Sequence, residues 1–330
     1  MRRLGVIAVS VAVLLAVSAG VLWFILQKQY EAPGPLAEEA VVVVPRGAGL
    51  AAIADDLAAA GVVGDARAFA LGVRLFGDAR ALQAGEYAFA AGSSMKDAAE
   101  LLASGHIVVH RLTVPEGLTS VEIVALLEAA EPLTGTIDAV PPDGALLPET
   151  YHFHRGDSRS VVLQRMAESM TEALAALWPQ RSENLPLNTP EEAVVLASIV
   201  EKETGVDSER PLVAGVFVNR LRKGMPLQSD PTVVYGITLG KAPLGRSLTR
   251  KDLAAATPYN TYQIAGLPPA PIANPGRAAL AAVLHPAETD YLYFVAAGDG
   301  GHAFAKSLAE HNSNVAKWRK HLRSLQKQTN

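Results

Sequence analysis

Between Gly5 and Leu26 the chain runs for 22 residues without a charge, interrupted only by Ser10 and Ser18. In hydrocarbon a single segment satisfies its own backbone amides and carbonyls only as a helix, and this length crosses the ~30 Å core of a bilayer. The stretch therefore predicts a membrane anchor before any other element is considered. Arg2, Arg3 and the terminal amine outweigh Lys28, and Trp23 sits where an interfacial aromatic belongs. That asymmetry leaves the N-terminus in the cytoplasm and exports the body. Val17 and Ala19 resemble a signal-peptidase site, but the apolar run continues past them to Leu26, which favours an uncleaved anchor over residues 1–27.

Cysteine is absent from the 330 residues, which excludes disulfides, thiolate zinc sites and a cysteine nucleophile. The formal charge of −4 argues against nucleic acid as a partner. Residues 28–40 hold two prolines, a glycine and no apolar period, the composition of a linker. An internal echo follows. Val44-Pro45-x-Gly47 returns as Val114-Pro115-x-Gly117, Ile53 as Ile123 and Leu57 as Leu127, each 70 positions on. Each copy predicts a short strand, a Pro-Gly turn and an amphipathic helix. Between the copies, 66–76 and 94–104 read as helices and 85–89 as a strand. The fold class is α+β: small modules over 41–110 and 111–185, then a larger mixed α+β domain over 186–330. On residues alone the modules serve either as scaffold or as glycan binders. His152 and His154 share one face of a strand-like segment, but zinc needs three or four ligands and no third is signalled. No metal or cofactor is expected.

The densest information lies between Thr189 and Tyr235. Thr189, Pro190 and Glu192 form a helix-start signal with a capping box. Ala193 to Val200 then contains one polar residue, Ser198, and a helix apolar on every face is a buried helix. Its far end carries Glu201, Lys202 and Glu203, with Gly205 as the expected cap. Burial disfavours the charged form of a carboxyl and raises its pKa, which keeps an acid protonated near neutral pH. At about 100° per residue the two glutamates point about 200° apart. One is a candidate acid, and spacing alone does not choose. Glu201 shares a face with Val194, Ala197 and Ser198; Glu203 sits over Ile199 and Val200.

A second helix is predicted over 210–221, with Asn219 near its end. Gln228, Ser229, Asp230 and Thr232 are then expected in an extended segment broken by Pro231 and packed against Tyr235. The loop Thr257-Pro-Tyr259-Asn260-Thr261-Tyr262 mixes aromatic faces with small polar groups, the mixture that binds sugars. Two rigid turns follow, Gly266-Leu-Pro-Pro269 and Ile272-Ala-Asn-Pro-Gly276. A helix over 277–284, a buried strand over 291–295, a tight loop with His302 and a basic amphipathic helix over 313–326 complete the chain.

In order, ASIVEKET, ER, VFVNRL, LQSDPTVVYG, TPYNTY, GLPP, IANPG, HP, YLYFVA and GGHAF resemble the YceG-like endolytic murein transglycosylases from Pro190 to Asn312. The first echo copy resembles a LysM-like unit. One departure is Ala270, where the family shows glycine. The resemblance implies cleavage of the MurNAc-β-1,4-GlcNAc bond of nascent peptidoglycan strands to 1,6-anhydroMurNAc ends, a lyase reaction needing one glutamate instead of two carboxylates. It gives that role to the first glutamate of the EKE triplet, Glu201. The candidate sugar contacts are Gln228, Ser229, Asp230, Tyr235, Tyr259, Asn260, Thr261 and Tyr262, with Glu203, Asn219 and His302 as secondary candidates. The resemblance further implies a single-pass protein of the inner membrane with a periplasmic body, working beside penicillin-binding synthases. Two other functions fit the residues less well: a non-catalytic cell-wall-binding scaffold, and a muramidase that uses water.

Overall fold

The computed structural model describes residues 2–298 and 300–328, with the side chains of residues 2–5, Arg2 and Arg3 among them, and of residues 325–328 outside what is described. The chain divides into two compact units. The first comprises residues 1–110 and 153–155, the second residues 111–152 and 156–330.

The first unit opens with α1 (Arg2–Glu31), whose most apolar 18-residue stretch within Val6–Glu31 has a mean hydropathy of 2.6 and nothing buried. It is long and apolar enough to cross a membrane. After it come β1 (Ala40–Val44), α2 (Leu50–Ala59), α3 (Ala66–Phe76), β2 (Gly85–Phe89) and α4 (Met95–Ser104). β1 and β2 form an antiparallel ribbon, Val42 facing Tyr87. Alternation puts Val42 and Val44 inward, against Ile53, Leu57, Phe69, Val73, Tyr87, Phe89 and Leu102. α4 begins at a full capping box, Ser94 with Asp97, and ends at Gly105 with φ 69°. Tyr30, at the end of α1, belongs to this core.

Further along, the chain forms β3 (His110–Thr113), α5 (Ser120–Ala129), β4 (Thr150–Phe153), α6 (Arg159–Leu177), α7 (Pro190–Glu203), α8 (Arg210–Arg222), α9 (Asp230–Thr238), α10 (Arg250–Ala254), α11 (Arg277–Leu284), β5 (Tyr293–Ala296), β6 (His302–Ala305) and α12 (Leu308–Gln328), all in the second unit except His110 and Phe153. β3 and β4 form one two-stranded sheet, and β5 and β6 form another. The architecture is therefore helices with small two-stranded sheets. The echo at offset 70 is geometric as well as textual. β1 and α2 repeat as β3 and α5, Gly47 and Gly117 take φ 81° and 78° in the same turn, and Ile53, Leu57, Ile123 and Leu127 are all buried.

α7 is the rod around which the second unit packs. Residues 193–200 are all buried, against α8 and α11. Its start is half a capping box: Thr189 accepts from the Glu192 amide, while the Glu192 carboxylate reaches back to the Asn188 amide. Ser198, the lone polar residue of the run, is fully buried and fully used. Its hydroxyl donates to the Val195 carbonyl and accepts from the Ile272 amide.

Four local expectations differ from the fold. His302, expected in a tight loop, opens β6. Asp230 and Pro231 do not continue an extended segment; they open α9, where proline's fixed φ and missing amide suit the first turn. The strand expected to be buried over 291–295 is β5, two residues later and only half-buried, because it lies in a two-stranded ribbon. α7 ends on an extended Thr204, φ −143°, one residue before Gly205.

Candidate active site

The two glutamates of the triplet leave α7 in different directions and meet different chemistry. Glu201 goes to Gly276, at the start of α11. Its Oε2 accepts from the Gly276 amide at 2.9 Å, and its Oε1 lies 3.4 Å from an Arg210 Nη2. Arg210, itself buried, also reaches Glu116 at 3.2 Å and Asp207 at 2.5 Å. Glu201 is thus one of three carboxylates around a single guanidinium, with 4% of its side chain exposed. Burial, with the Glu201 charge beside it, raises the pKa of the Glu116 carboxyl. A Cβ on Gly276 would stand 1.7 Å from Glu116 Oε1, so a side chain there would displace the Glu116 carboxylate from Arg210.

Glu203 meets no such clamp. Its Oε1 accepts one hydrogen bond from the Ser229 hydroxyl, at 2.5 Å. Burial pushes its carboxyl pKa up, and the nearby Asp230 charge adds to the rise, while Ser229, His302 and Arg220 pull the other way. The net is an acid displaced toward its protonated form. Beside it, Glu209 accepts from both the amide and Nδ1 of His302, at 2.8 and 2.6 Å. Burial opposes ionisation there, yet these bonds hold the Glu209 carboxyl below its usual range. With Nδ1 turned to Glu209, the other ring nitrogen of His302 is left to face away from that carboxylate.

The wall beyond Ser229 is built by a polar lattice. Arg220 donates to the carbonyls of Pro226, Leu227 and Leu292 and to the Gln228 side chain, and its guanidinium stacks over Tyr293. This holds Gln228 at φ 55°, a left-handed position uncommon for a residue with a Cβ. The Gln228 and Ser229 amides bond to Thr261, whose hydroxyl also meets Thr232. Tyr262 donates to Asp230 at 2.7 Å; burial first, then that carboxylate, raises its phenol, so it stays a neutral donor.

Of the residues expected to touch sugar, Gln228, Ser229, Asp230 and Tyr262 gather at this point with Glu203 and His302. Asn260 and Thr261 do not offer free groups. Asn260 is 1% exposed and its amide serves the carbonyls of Asp252, Leu253 and Ala255 while its Oδ1 takes the Tyr262 amide. Both residues shape the loop. Asn219 ties α8 to the carbonyls of Thr289 and Tyr291. Tyr235 and Tyr259 pair with each other, centroids 4.8 Å apart, with the Tyr235 hydroxyl on Asp143. They line a mainly apolar groove of about 670 Å³ with Val140, Pro142 and Pro271. Ala270 needs no glycine, since its φ is not positive.

Sequence reasoning missed Glu116, Gly276 and Asn274 as site builders. Asn274 is fully buried: its Oδ1 accepts from the amides of Gly144 and Leu146, and its Nδ2 donates to Leu118 and Ser120. Its place inside IANPG was the one available signal.

Fold and site together define an α+β protein whose core helix ends in a shielded carboxyl beside a hydroxyl, an imidazole and a second carboxylate. The chain belongs to the YceG-like family, whose pattern it matches over residues 42–317. It is 32% identical over 306 residues to the endolytic murein transglycosylase of Bacillus subtilis, covering 83% of each chain. It is 34% identical over 181 residues to the endolytic murein transglycosylase of Streptococcus pneumoniae, covering 53% of this chain and 32% of that one. A YceG-like protein of Listeria monocytogenes with a crystal structure is 30% identical, covering 84% of this chain and 99% of that one with a TM-score of 0.49.

Proposed function

We propose that this chain is an endolytic peptidoglycan lytic transglycosylase, and that Glu203, not Glu201, is its acid and base. The observation that carries this reading is the contrast at the end of α7. Glu203 has a raised pKa and a single hydroxyl donor, whereas Glu201 is held against a guanidinium and a backbone amide. Both Glu201 oxygens are already engaged by fixed donors, which leaves that carboxyl poorly placed to reach a glycosidic oxygen. Protonated Glu203 donates to the glycosidic oxygen as the C1–O bond breaks. As a carboxylate it then takes the proton of the muramyl 6-hydroxyl, which closes on C1 to give the 1,6-anhydro end. Neither water nor a second carboxylate enters. Ser229 orients the carboxyl, and Gln228, Asp230 and Tyr262 supply polar contacts to the strand. Tyr235 on α9 and Tyr259 in the following loop offer sugar-sized apolar faces. The clamp of Glu201, Arg210 and Glu116 keeps the α7 terminus in place.

In this reading α1 anchors the protein in the inner membrane with its N-terminus cytoplasmic and its body periplasmic. Residues 41–110 form a LysM-like glycan-binding module, residues 186–330 carry the chemistry, and penicillin-binding synthases supply the nascent strands. Digestion of purified sacculi followed by mass spectrometry tests the reaction. Anhydro-ended fragments are expected, and reducing ends one water heavier would instead identify a hydrolase. Glu203→Gln should cut the rate by at least about a hundredfold with melting unchanged or raised, and Glu201→Gln by about tenfold or less. The reverse ranking would return the role to Glu201, and full activity in both would leave a scaffold.

A further inference from the structure

We propose that the outward face of α3 rests in the phospholipid interface, so that the first unit lies on the bilayer instead of hanging from a tether. The inference rests on α1 being a membrane span. The uncharged run continues to Leu26, but the 19 residues from Leu4 to Leu22 already make about 28 Å of helix, close to the hydrocarbon thickness. Trp23 then falls at the interface, the depth such side chains favour.

The last turns of α1 are not free to leave that level, because they are built into the first unit. The Trp23 and Phe76 rings meet edge-on with centroids 4.7 Å apart. Tyr30 is 4% exposed, with its ring 5.6 Å from that of Phe76. Gly72 admits this approach: a Cβ there would stand 2.4 Å from the Tyr30 ring. The C-terminal end of α3 must therefore sit at the depth of Trp23.

α3 is apolar on two faces. Phe69 and Val73 fill the core at 0% exposure, whereas Leu71 and Leu75, one turn apart on another face, are 45% and 39% exposed. These two leucines line an open groove together with Leu26 of α1, so the exposed patch continues the membrane-facing surface of the anchor. Arg67 and Arg74 on the same helix and Arg80 just beyond it are exposed, placed for lipid phosphates as an interfacial helix requires. The occupant is the bilayer surface itself: acyl chains under Leu71 and Leu75, phosphates at the arginines.

Because cysteine is absent from the chain, single nitroxide labels report depth without other changes. Full-length Leu71→Cys, Leu75→Cys and Leu14→Cys would be labelled and placed in vesicles of phosphatidylethanolamine and phosphatidylglycerol. Spin-label saturation by oxygen and by a water-soluble nickel complex would be compared with the free label in buffer. The expected result is oxygen contact exceeding nickel contact at all three positions, most strongly at Leu14. Buffer-like values at Leu71 and Leu75 with Leu14 still lipid-exposed would overturn the inference while leaving the anchor intact. Exclusion of both reagents at Leu71 and Leu75 would show a protein cover, a second copy or another chain, and would also overturn it. Buffer-like values at Leu14 would remove the span on which the inference stands.

Discussion

Two carboxyl groups two positions apart can be chemically opposite when the helix carrying them ends in a wall of other elements. Glu201 is met by an amide and a guanidinium, Glu203 by the Ser229 hydroxyl at a buried position. The rise in the Glu203 pKa has a consequence for stability. A group that binds its proton more tightly folded than unfolded makes the fold lose stability as pH rises from its unfolded value, about 4.3 for glutamate, up to the folded one. Glutamine at 203 removes that loss and can still accept from Ser229. The melting temperature of Glu203→Gln should match wild type near pH 4 and exceed it increasingly toward neutrality, while kcat/KM of the wild type falls on the alkaline side. A constant offset at every pH would mean that Glu203 is not shifted. The opposite headings of the two glutamates were legible from helical pitch; which of them met donors was not, because Gly276 and Ser229 arrive from distant segments.

At the scale of elements, α7 was legible almost to the residue, since eight successive buried positions leave no solvent-facing alternative. The echo of β1 and α2 in β3 and α5 was legible for a similar reason: Pro-x-Gly turns with positive φ recur where the chain must reverse. α9 was misjudged because proline marks both a broken strand and a helix start. The tie between elements was invisible. Asn274 joins the segments around 118, 144 and 274 through four side-chain hydrogen bonds at a fully buried position. Asn274→Ala should destabilise the fold by about 3–5 kcal/mol, read as a large drop in the thermal midpoint by circular dichroism. Asn274→Asp, which keeps the acceptor and loses both donors, should fall between. A drop of a degree or less for Asn274→Ala would show that the staple is dispensable.

For the whole molecule, the anchor and the first unit are not separable at the point where hydropathy ends. Tyr30 lies in α1, past its most apolar stretch, and also in the core formed with Phe69 and Val73. A chain starting at Gln27 should keep the first unit folded, whereas one starting at Ala32, or Tyr30→Ala, should lose about 3–5 kcal/mol of it. Amide exchange at Val42, Val44 and Phe69 would accelerate accordingly; unchanged protection would show that the ring is peripheral. Local order determined what could be read beforehand: uncharged length, helical period, turn residues and the motif string that places the chain in its family are all properties of neighbours along the backbone. Tertiary structure alone decided which glutamate is shielded and which is clamped, that Asn260 and Asn274 hold the frame, and that the end of α1 serves the first unit. Solvation and charge at a side chain are set by whatever packs around it in space, and those partners lie up to 156 positions away in sequence.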